Sequence, residues 1–289
     1  MESFSRKEKL IFDNNRGQTL EISVLSPFFL QEADGLDSME NDFYTAKNFN
    51  EDGVTVVGSD VRPRNIVLKG RILSDKEISR PKLIKFFNPK HDFTLMYTNG
   101  EIERFIKCKV EKTPAISKHR IPEFLISFLC PKPWWYDKEV KTDIAMWVGT
   151  FEFPLEISED MGIEMGYREP SSIVNIYNTS DTIAPLKLQF KALGSVVNPS
   201  IINVETQEIL MIERTMLPGD IVIINTERGN EYVQLNRNGL ITNIFNDLSI
   251  ESNPHLSLDV GDNLLRYDAE QFVSNLEVAI YFTPQYVGV

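Results

Sequence analysis

The sequence contains few of the residues on which catalytic and metal sites depend. Its 289 residues include only two cysteines and three histidines, His91, His119 and His255. None of these histidines has a cysteine, a second histidine or a carboxylate at the spacing found in metal sites. The chain also lacks a nucleophile elbow, a phosphate-binding glycine loop and a calcium-loop pattern. We therefore expect no catalytic residue, no metal ligand and no cofactor. The 42 acidic residues leave a carboxylate pair for glycoside hydrolysis open.

Long apolar runs and clusters of basic residues are missing as well. The longest apolar stretch, residues 124–130, has the length of a strand, whereas a membrane-spanning helix needs about 20 apolar residues. The first twelve residues carry charges of both signs and no signal-peptide core, so we expect the protein to stay in the producing cell. The net charge of −12 argues against a protein that grips nucleic acid, because counterion release requires clustered Lys and Arg. An acidic surface is compatible with a passive wall beside DNA.

What the sequence does contain is an apolar period of two, the pattern of half-buried strands. Leu186, Leu188 and Phe190 alternate with polar residues, and residues 276–282 repeat the pattern. Beyond Trp147, strand-sized runs separated by turn residues recur about every eight to twelve residues, with no helical segment between them. This rhythm predicts a β-sandwich or jelly roll for the second half of the chain.

The first half is predicted to be β structure with a clear hairpin. Asn99 and Gly100 separate two strand-like runs and predict a type I′ turn, in which both residues adopt positive φ angles. The second strand would carry Ile102, Arg104, Ile106, Cys108 and Val110 on one face, which would place Cys108 on a core face.

One helix is predicted between residues 74 and 87. Ser74 and Glu77 fit a capping box, Ser79 offers an alternative start, and Pro81 would then lie in the first turn. We expect the apolar residues of its second half to face the sheet: Leu83, Ile84, Phe86 and Phe87.

Residues 31–53 form the least regular part of the first half. They include seven acidic residues and one lysine, and their aromatic residues are too scattered to form a buried stripe. The segment lacks the glycine and glutamate positions of a calcium loop, so a solvated charge run is the better interpretation. We predict a long loop or arm, and loops of this length inside a compact domain are usually functional or disordered.

The segment 124–139 combines one cysteine, two prolines and two tryptophans. Cys130 is in phase with apolar strand residues, so we interpret it as a buried structural thiol rather than a nucleophile. The aromatic residues Trp134, Trp135, Tyr136 and Trp147 could form a sugar-stacking platform, but the flanking prolines favour a seam between two domains. We therefore expect the first domain to end here, and a fragment ending near Asp137 to fold and assemble alone. Two cysteines allow one disulfide, which a protein kept in the cytosol gives little reason to expect.

Several segments, taken together, resemble a known family. They lie in order along almost the whole chain: residues 52–72 (DGVTVVGSDVRPRNIVLKGRI), 100–114, 122–135 (PEFLISFLCPKPWW), 177–203, 217–239 (LPGDIVIINTERGNEYVQLNRNG), 258–270 and 281–289. In pattern and order they are similar to the distal tail proteins of long-tailed, siphovirus-type bacteriophages and related prophage elements.

This resemblance implies a mainly β protein of two domains. Residues 1–138 would form a β-sandwich or split-barrel ring domain with one helix, related to the tail tube, and residues 139–289 a galectin-like β-sandwich of the jelly-roll type. The implied role is structural and not enzymatic: a homohexameric ring at the virion tail tip, made in the host cytoplasm. Its implied partners are the tail tube protein, the tape-measure protein and a tail-associated hub protein, with no sequence-specific nucleic acid binding and no membrane insertion.

Two alternatives come from other functional classes. A carbohydrate-binding module of an adhesin or receptor-binding protein would need an exposed aromatic platform in residues 143–289, where no tryptophan follows Trp147. An unrecognised hydrolase would need a cleft with perturbed carboxylates. In the ring interpretation, the segment 31–53 packs on a neighbouring copy and the channel wall is neutral or acidic.

Overall fold

The computed structural model describes residues 4–50, 52–144 and 172–289, together with the backbone of 147–148 and 167–168. Over these ranges the chain is almost entirely β structure with one α-helix, as the sequence predicts. It forms two compact units, Met1–Asp137 with Gln285–Val289, and Lys138–Pro284. The division at residue 138 that the sequence suggests assigns the last five residues to the second domain. Whether either unit folds alone stays a prediction.

The elements follow one another in this order. Up to residue 136 they are β1 Lys9–Asp13, β2 Thr19–Ser23, β3 Phe28–Asp34, β4 Asn41–Ala46, β5 Thr55–Val61, β6 Arg64–Ile72, α1 Lys76–Phe86, β7 Asp92–Thr98, β8 Glu103–Val110, β9 Ala115–Ile116, β10 Glu123–Cys130 and β11 Trp135–Tyr136. They continue with β12 Val140–Ile144, β13 Trp147–Val148, β14 Tyr167–Arg168, β15 Ile173–Asn178, β16 Ala184–Ala192, β17 Val196–Asn203, β18 Ile209–Met211, β19 Thr215–Met216, β20 Ile221–Asn225, β21 Tyr232–Arg237, β22 Leu240–Asn243, β23 Ser257–Leu258, β24 Gly261–Gln271, β25 Leu276–Phe282 and β26 Gln285–Tyr286. Two short 3-10 turns lie at Phe245–Asp247 and Val273–Asn275.

The first unit is built on a closed barrel. Its ten-stranded sheet has the order β26-β11-β8-β7-β1-β2-β3-β6-β10-β9, and β8 pairs with β10 as well as with β7. Seven strands, from β8 through β7, β1, β2, β3, β6 and β10, therefore return to their starting point. All junctions in this cycle are antiparallel except the single parallel pair between β2 and β3. Closure removes most free strand edges from the unit.

Aromatic side chains fill the barrel. The ring centroids of Phe12 and Phe128 lie 4.8 Å apart in a stacked arrangement, and Phe87 meets both rings edge-on. Phe87 follows α1 directly, and both Phe86 at the end of the helix and Phe87 pack in the barrel core. The helix is thereby tied to the barrel by side-chain packing.

The helix differs from its prediction at three positions. It begins after Asp75, whose carboxylate accepts a hydrogen bond from the backbone N–H of Glu77, so the Ser74 capping box is wrong. Pro81 is the sixth helical residue and not a first-turn residue. Ile84 is partly exposed, whereas the other three predicted apolar residues of this helix are buried. Asp75 competes successfully for the cap because an ionised carboxylate also favours the positive end of the helix dipole.

The predicted hairpin forms from β7 and β8, but its turn is longer than expected. Gly100 has a φ of +92°, whereas Asn99 is not in the positive-φ region. The Asn99 side-chain oxygen instead accepts hydrogen bonds from the backbone N–H groups of Glu101 and Ile102. The type I′ prediction is therefore wrong. The turn is stabilised by hydrogen bonds to the Asn99 side chain and does not require a positive φ angle at Asn99.

Arg64 ties together distant parts of the first unit. Its guanidinium is buried, with 3% of the residue exposed, and it donates hydrogen bonds only to backbone carbonyls. The acceptors are Gly35 at 2.8 Å, Leu36 at 2.6 Å, Pro133 at 2.8 Å, and Val287. Strand β6, the segment after β3, the segment after β10 and the carboxyl-terminal tail thus meet at one side chain.

Trp135 belongs to the core of the first unit. Its indole N–H donates to the carbonyl of Leu36 at 2.9 Å, and the residue is fully buried. In the β11–β26 pair it lies opposite Tyr286, whose ring centroid is 3.1 Å from the Arg104 guanidinium carbon. A sugar platform at Trp135 is excluded by this burial. The expectation that Trp134 packs in a domain seam stays a prediction.

The second unit is a β-sandwich, as the sequence rhythm predicts. Its larger sheet has the order β12-β25-β16-β20-β21-β22, with β23 on β16, and its smaller sheet the order β15-β24-β17-β18, with β19 on β17. Leu188 and Phe190 from the first sheet share one hydrophobic core with Ile201 and Leu265 from the second. Strands β13 and β14 pair separately. Alternating burial along β16 confirms the period of two that identified this strand.

Candidate functional site

The two cysteines are structural thiols in the barrel. Cys130 and Cys108 are buried. The interaction with the neighbouring Cys130 side chain, together with desolvation, raises the pKa of the Cys108 thiol. A thiol with a raised pKa is a poor nucleophile. The interpretation of Cys130 as a buried structural residue is therefore supported by its surroundings.

The three histidines have different surroundings in the structure. His119 is exposed, and His91 lies beside the ring of Phe93 at a centroid distance of 6.4 Å. His255 Nδ1 is 3.5 Å from a Glu231 carboxylate oxygen. Within the described ranges, no three His, Cys, Asp or Glu side chains form a group that could hold a metal ion, and no helix has the length and apolar character of a membrane span.

The segment 31–53 contributes to a β-hairpin rather than a long loop. Residues up to Asp34 belong to β3, and β4 pairs antiparallel with β5. We call residues 41–61 the arm hairpin. Over the part of the chain that the structure describes, β4 and β5 pair with no other strand. The sequence-based arm ended at residue 53 and so omitted β5. The β-branched run in residues 54–57 was the available signal for this strand.

The arm hairpin exposes an unusual amount of apolar surface. Phe49 at its tip is 95% exposed. The other large apolar residues that it leaves exposed are Phe43, Tyr44, Val54, Val56, Val57 and Val61. A two-stranded hairpin is marginally stable in water when it packs on nothing else. Contiguous exposed apolar surface on a folded protein marks a place where another molecule binds.

Polar contacts fix the base and one face of the arm hairpin. Arg62, just beyond β5, pairs with the carboxylates of Asp42 and Glu40, and its guanidinium lowers the pKa of Asp42. The Tyr44 hydroxyl donates to Asp60 at 2.9 Å, and this bond raises the pKa of the tyrosine. Charged groups thus hold the two strands in register while the apolar side chains stay exposed.

The second unit contains one open depression that bears on the carbohydrate alternative. It has a volume of about 520 Å³, and its lining includes Tyr232, Phe245, Glu231 and His255. Phe245 is 39% exposed. Aromatic and polar groups do converge here, at a place that the sequence pattern did not single out.

Two family models match the chain. One, described as the phage tail protein RIFT-related domain, matches residues 15–130, and the other, the siphovirus-type tail component C-terminal domain, matches residues 179–286. Together they account for more than three quarters of the chain. Among curated proteins, none matches the sequence.

Solved structures share the fold along almost the whole chain. The Dit protein of phage SPP1, reported as a paradigm of the hub adsorption apparatus in phages that infect Gram-positive bacteria, aligns with a TM-score of 0.70 at 14% identity, covering 96% of this chain and 98% of that one. A chain of the phage P2 baseplate in its activated conformation with Ca aligns with a TM-score of 0.56 at 11% identity, covering 98% and 99%. The corresponding Sr structure gives the same values.

The two matched domains follow one another in the order that the resemblance predicts, on a fold of the same kind. The barrel corresponds to the first model and the sandwich to the second. The resemblance noted from the sequence is therefore confirmed: the chain belongs to the distal tail protein family of siphovirus-type bacteriophages.

Proposed function

We propose that six copies of this chain close a ring at the distal end of a phage tail, where the ring links the tail tube to the proteins of the tail tip. A structural role in the tail is supported by the two family models and by the similar solved structures, among them a Dit protein and a chain of a phage baseplate. The proposed partners are a tail tube protein, a tape-measure protein and a tail-associated hub protein. The chain would act in the virion after synthesis in the host cytoplasm.

The arm hairpin is the observation that carries this proposal. A ring of identical subunits requires a heterologous interface, in which one surface of each copy contacts a different surface of the next. The arm hairpin supplies one such surface, because its apolar side chains are exposed and its strands pair with no other strand among the described residues. Burying them removes apolar area from water at about 25 cal/mol per Å². Six identical contacts of this kind would favour a closed assembly over separate chains.

The test is the mass of the purified protein with and without an apolar arm. The wild-type chain of 33.2 kDa should give a light-scattering mass near six times this value at micromolar concentration. Replacing both Phe43 and Val57 by Glu should release monomers, because charges at these exposed positions cannot be buried against a neighbour without a partner.

Ile250→Glu is the matched control. Ile250 is 99% exposed in the second unit, so this variant adds a charge on an exposed apolar residue outside the arm hairpin. It should keep the wild-type mass. Both variants should show the wild-type circular dichroism, since substitutions of exposed residues change stability by about 0.5 kcal/mol or less. A wild-type protein that stays monomeric at every concentration, or an arm variant that keeps the full mass, would contradict the proposed interface.

A further inference from the structure

The barrel closes at its shortest antiparallel junction. Strands β8 and β10 share two residue pairs, Phe128 with Val110 and Leu129 with Lys109, whereas the other antiparallel junctions of the seven-strand cycle share five or more. The two strands are also not consecutive in the chain. This β8–β10 junction, which completes the barrel, thus has the fewest backbone contacts of its kind.

Both cysteines of the chain lie at this junction. The observed pairs end at Leu129 and Lys109, and extending the same register by one residue on each strand places Cys130 opposite Cys108. Strand alternation points both side chains into the core, where both residues are buried. The Cys130 side chain is near enough to the Cys108 thiol to raise its pKa.

The hydrogen-bond pattern identifies the kind of position that the cysteines occupy. The backbone N–H of Glu111 donates to the carbonyl of Ser127 at 3.0 Å, which makes this pair a hydrogen-bonded one. Hydrogen-bonded and non-hydrogen-bonded pairs alternate along an antiparallel ladder. Three steps further on, Cys108 and Cys130 form a non-hydrogen-bonded pair, in which Cα atoms lie about 4.5 Å apart and side chains are closest. A disulfide accepts Cα separations of about 4.4–6.8 Å.

We propose that Cys108 and Cys130 are a disulfide site that covalently closes the barrel when the protein meets a small-molecule disulfide such as oxidised glutathione. The chain contains no other cysteine, so no competing pairing exists within it. The site stays reduced in a reducing cytosol and becomes oxidised outside it. This proposal uses the barrel alone and does not depend on the ring.

The chemistry is two successive thiol–disulfide exchanges. One cysteine loses its proton and attacks a sulfur of oxidised glutathione, so that a mixed disulfide forms and one glutathione thiolate leaves. The second cysteine, also deprotonated, then attacks the protein sulfur of the mixed disulfide and releases the second glutathione. The two protons end on the two leaving thiolates. The protein loses two hydrogen atoms, and one glutathione disulfide becomes two thiols.

Burial should make disulfide formation slow and the finished disulfide resistant to reduction. Because the neighbouring Cys130 side chain and desolvation raise the pKa of the Cys108 thiol, little thiolate is present in the closed barrel. Exchange therefore requires the β8–β10 junction to open locally. The same burial would shield the finished disulfide from reductants. A bond here also restricts the unfolded chain, because it closes the loop between residues 108 and 130.

The experiment compares the full-length protein after incubation with oxidised or with reduced glutathione, both in the native state and during refolding from urea. After unfolding and alkylation, the oxidised sample should be lighter than the free dithiol by about 2 Da and should take up no alkylating agent. Its melting temperature should exceed that of the reduced sample by roughly 5 °C.

Two single variants make the result specific. Cys108→Ala and Cys130→Ala should each keep one alkylatable thiol or one bound glutathione, and neither should gain thermal stability from oxidised glutathione. Two alkylatable thiols in the wild type after both oxidation protocols would overturn the proposal. A disulfide that links two chains, or an oxidised form that melts lower than the reduced one, would overturn it as well.

Discussion

The barrel unit and the sandwich unit differ sharply in charge. Residues assigned to the barrel unit include 21 basic and 20 acidic side chains, a net charge of +1, whereas the sandwich unit has 9 basic and 22 acidic ones, a net charge of −13. The total of −12 therefore belongs to the second unit. The net charge of the whole chain therefore does not predict the charge of the channel wall, because the unit proposed to form that wall is nearly neutral. The prediction of a neutral or acidic wall stays a prediction, supported now by the balance within the barrel unit.

The two units also bury charge in different ways. In the barrel unit, Arg64 is surrounded by carbonyl dipoles, and desolvation lowers the pKa of its guanidinium. In the sandwich unit, Asp220 is buried with a charged partner, because Arg237 donates two hydrogen bonds to its carboxylate at 2.7 and 2.6 Å. Each unit thus contains a buried charge held by hydrogen bonds, which offers a way to destabilise the two units separately.

Arg64→Leu should cause the largest loss of unfolding free energy, and this loss should fall on the barrel unit. Four backbone carbonyls lose the hydrogen bond from Arg64, of which that of Leu36 keeps another donor, the Trp135 indole, so the barrel unit should lose about 4 kcal/mol of unfolding free energy. Arg62→Leu is the matched control two residues away. Arg62 is half exposed, so its loss should change stability by less than about 1 kcal/mol. Urea unfolding followed by hydrogen exchange in each unit measures both. Equal and small losses in the two variants would show that Arg64 does not hold the unit together.

Deleting residues 285–289 should have the next largest effect, again confined to the barrel unit. The deletion removes β26, the ring of Tyr286 against Arg104 and the Val287 carbonyl that accepts from Arg64. We expect a loss of about 3 kcal/mol, measured as the shift of the urea midpoint. Val287→Ala keeps the backbone carbonyl and should cost less than about 1 kcal/mol.

A fragment that ends at Asp137 lacks the same five residues, together with the sandwich unit, and tests a sequence-based expectation. The sequence suggests that a fragment ending at Asp137 folds and assembles alone. The structure gives a reason to expect a weaker fragment, since the tail that completes the barrel unit is missing from it. A fragment 1–137 as stable as the barrel unit of the whole chain would show that the tail is dispensable.

Asp220→Asn should have a smaller effect, confined to the sandwich unit and dependent on pH. Hydrogen bonds from Arg237 lower the pKa of Asp220 in the folded state. Its contribution is therefore present above the unfolded pKa of about 3.9 and is lost as pH falls through the lower folded pKa. At pH 7 the variant should lose about 2 kcal/mol, and its stability should vary less than that of wild type at acid pH. Glu251→Gln, at an exposed position, is the control and should change neither quantity. An Asp220→Asn variant with the wild-type pH profile would remove this carboxylate from the account.

The sequence predicted those structural features that depend on residues close together in the chain. Strands β16 and β25 were recognisable because burial on one side imposes a period of two, which a single segment displays. The buried role of Arg64 had a weaker local signal, since it is a charged residue in phase with the buried Ile66 and Leu68. Its partners could not be predicted, because they come from three segments far apart in the chain.

The arm hairpin is a segment whose strands could not be predicted from apolar periodicity. Its apolar residues gave no periodic signal, because none of them is buried within the chain. Periodicity reports only the core of one chain, so surface kept for another molecule looks irregular. The loop prediction for residues 31–53 failed for this reason, whereas the inference that the segment serves assembly came from the family resemblance.

Electron microscopy of the purified protein seen end-on tests the central proposal most directly. We expect closed rings with six-fold symmetry and a central opening for the wild-type chain. The variant in which Phe43 and Val57 are both replaced by Glu should give separate particles. Rings of another symmetry would correct the number of copies. Wild-type particles that remain single chains, with both units folded, would contradict the proposal that the arm hairpin joins neighbouring copies.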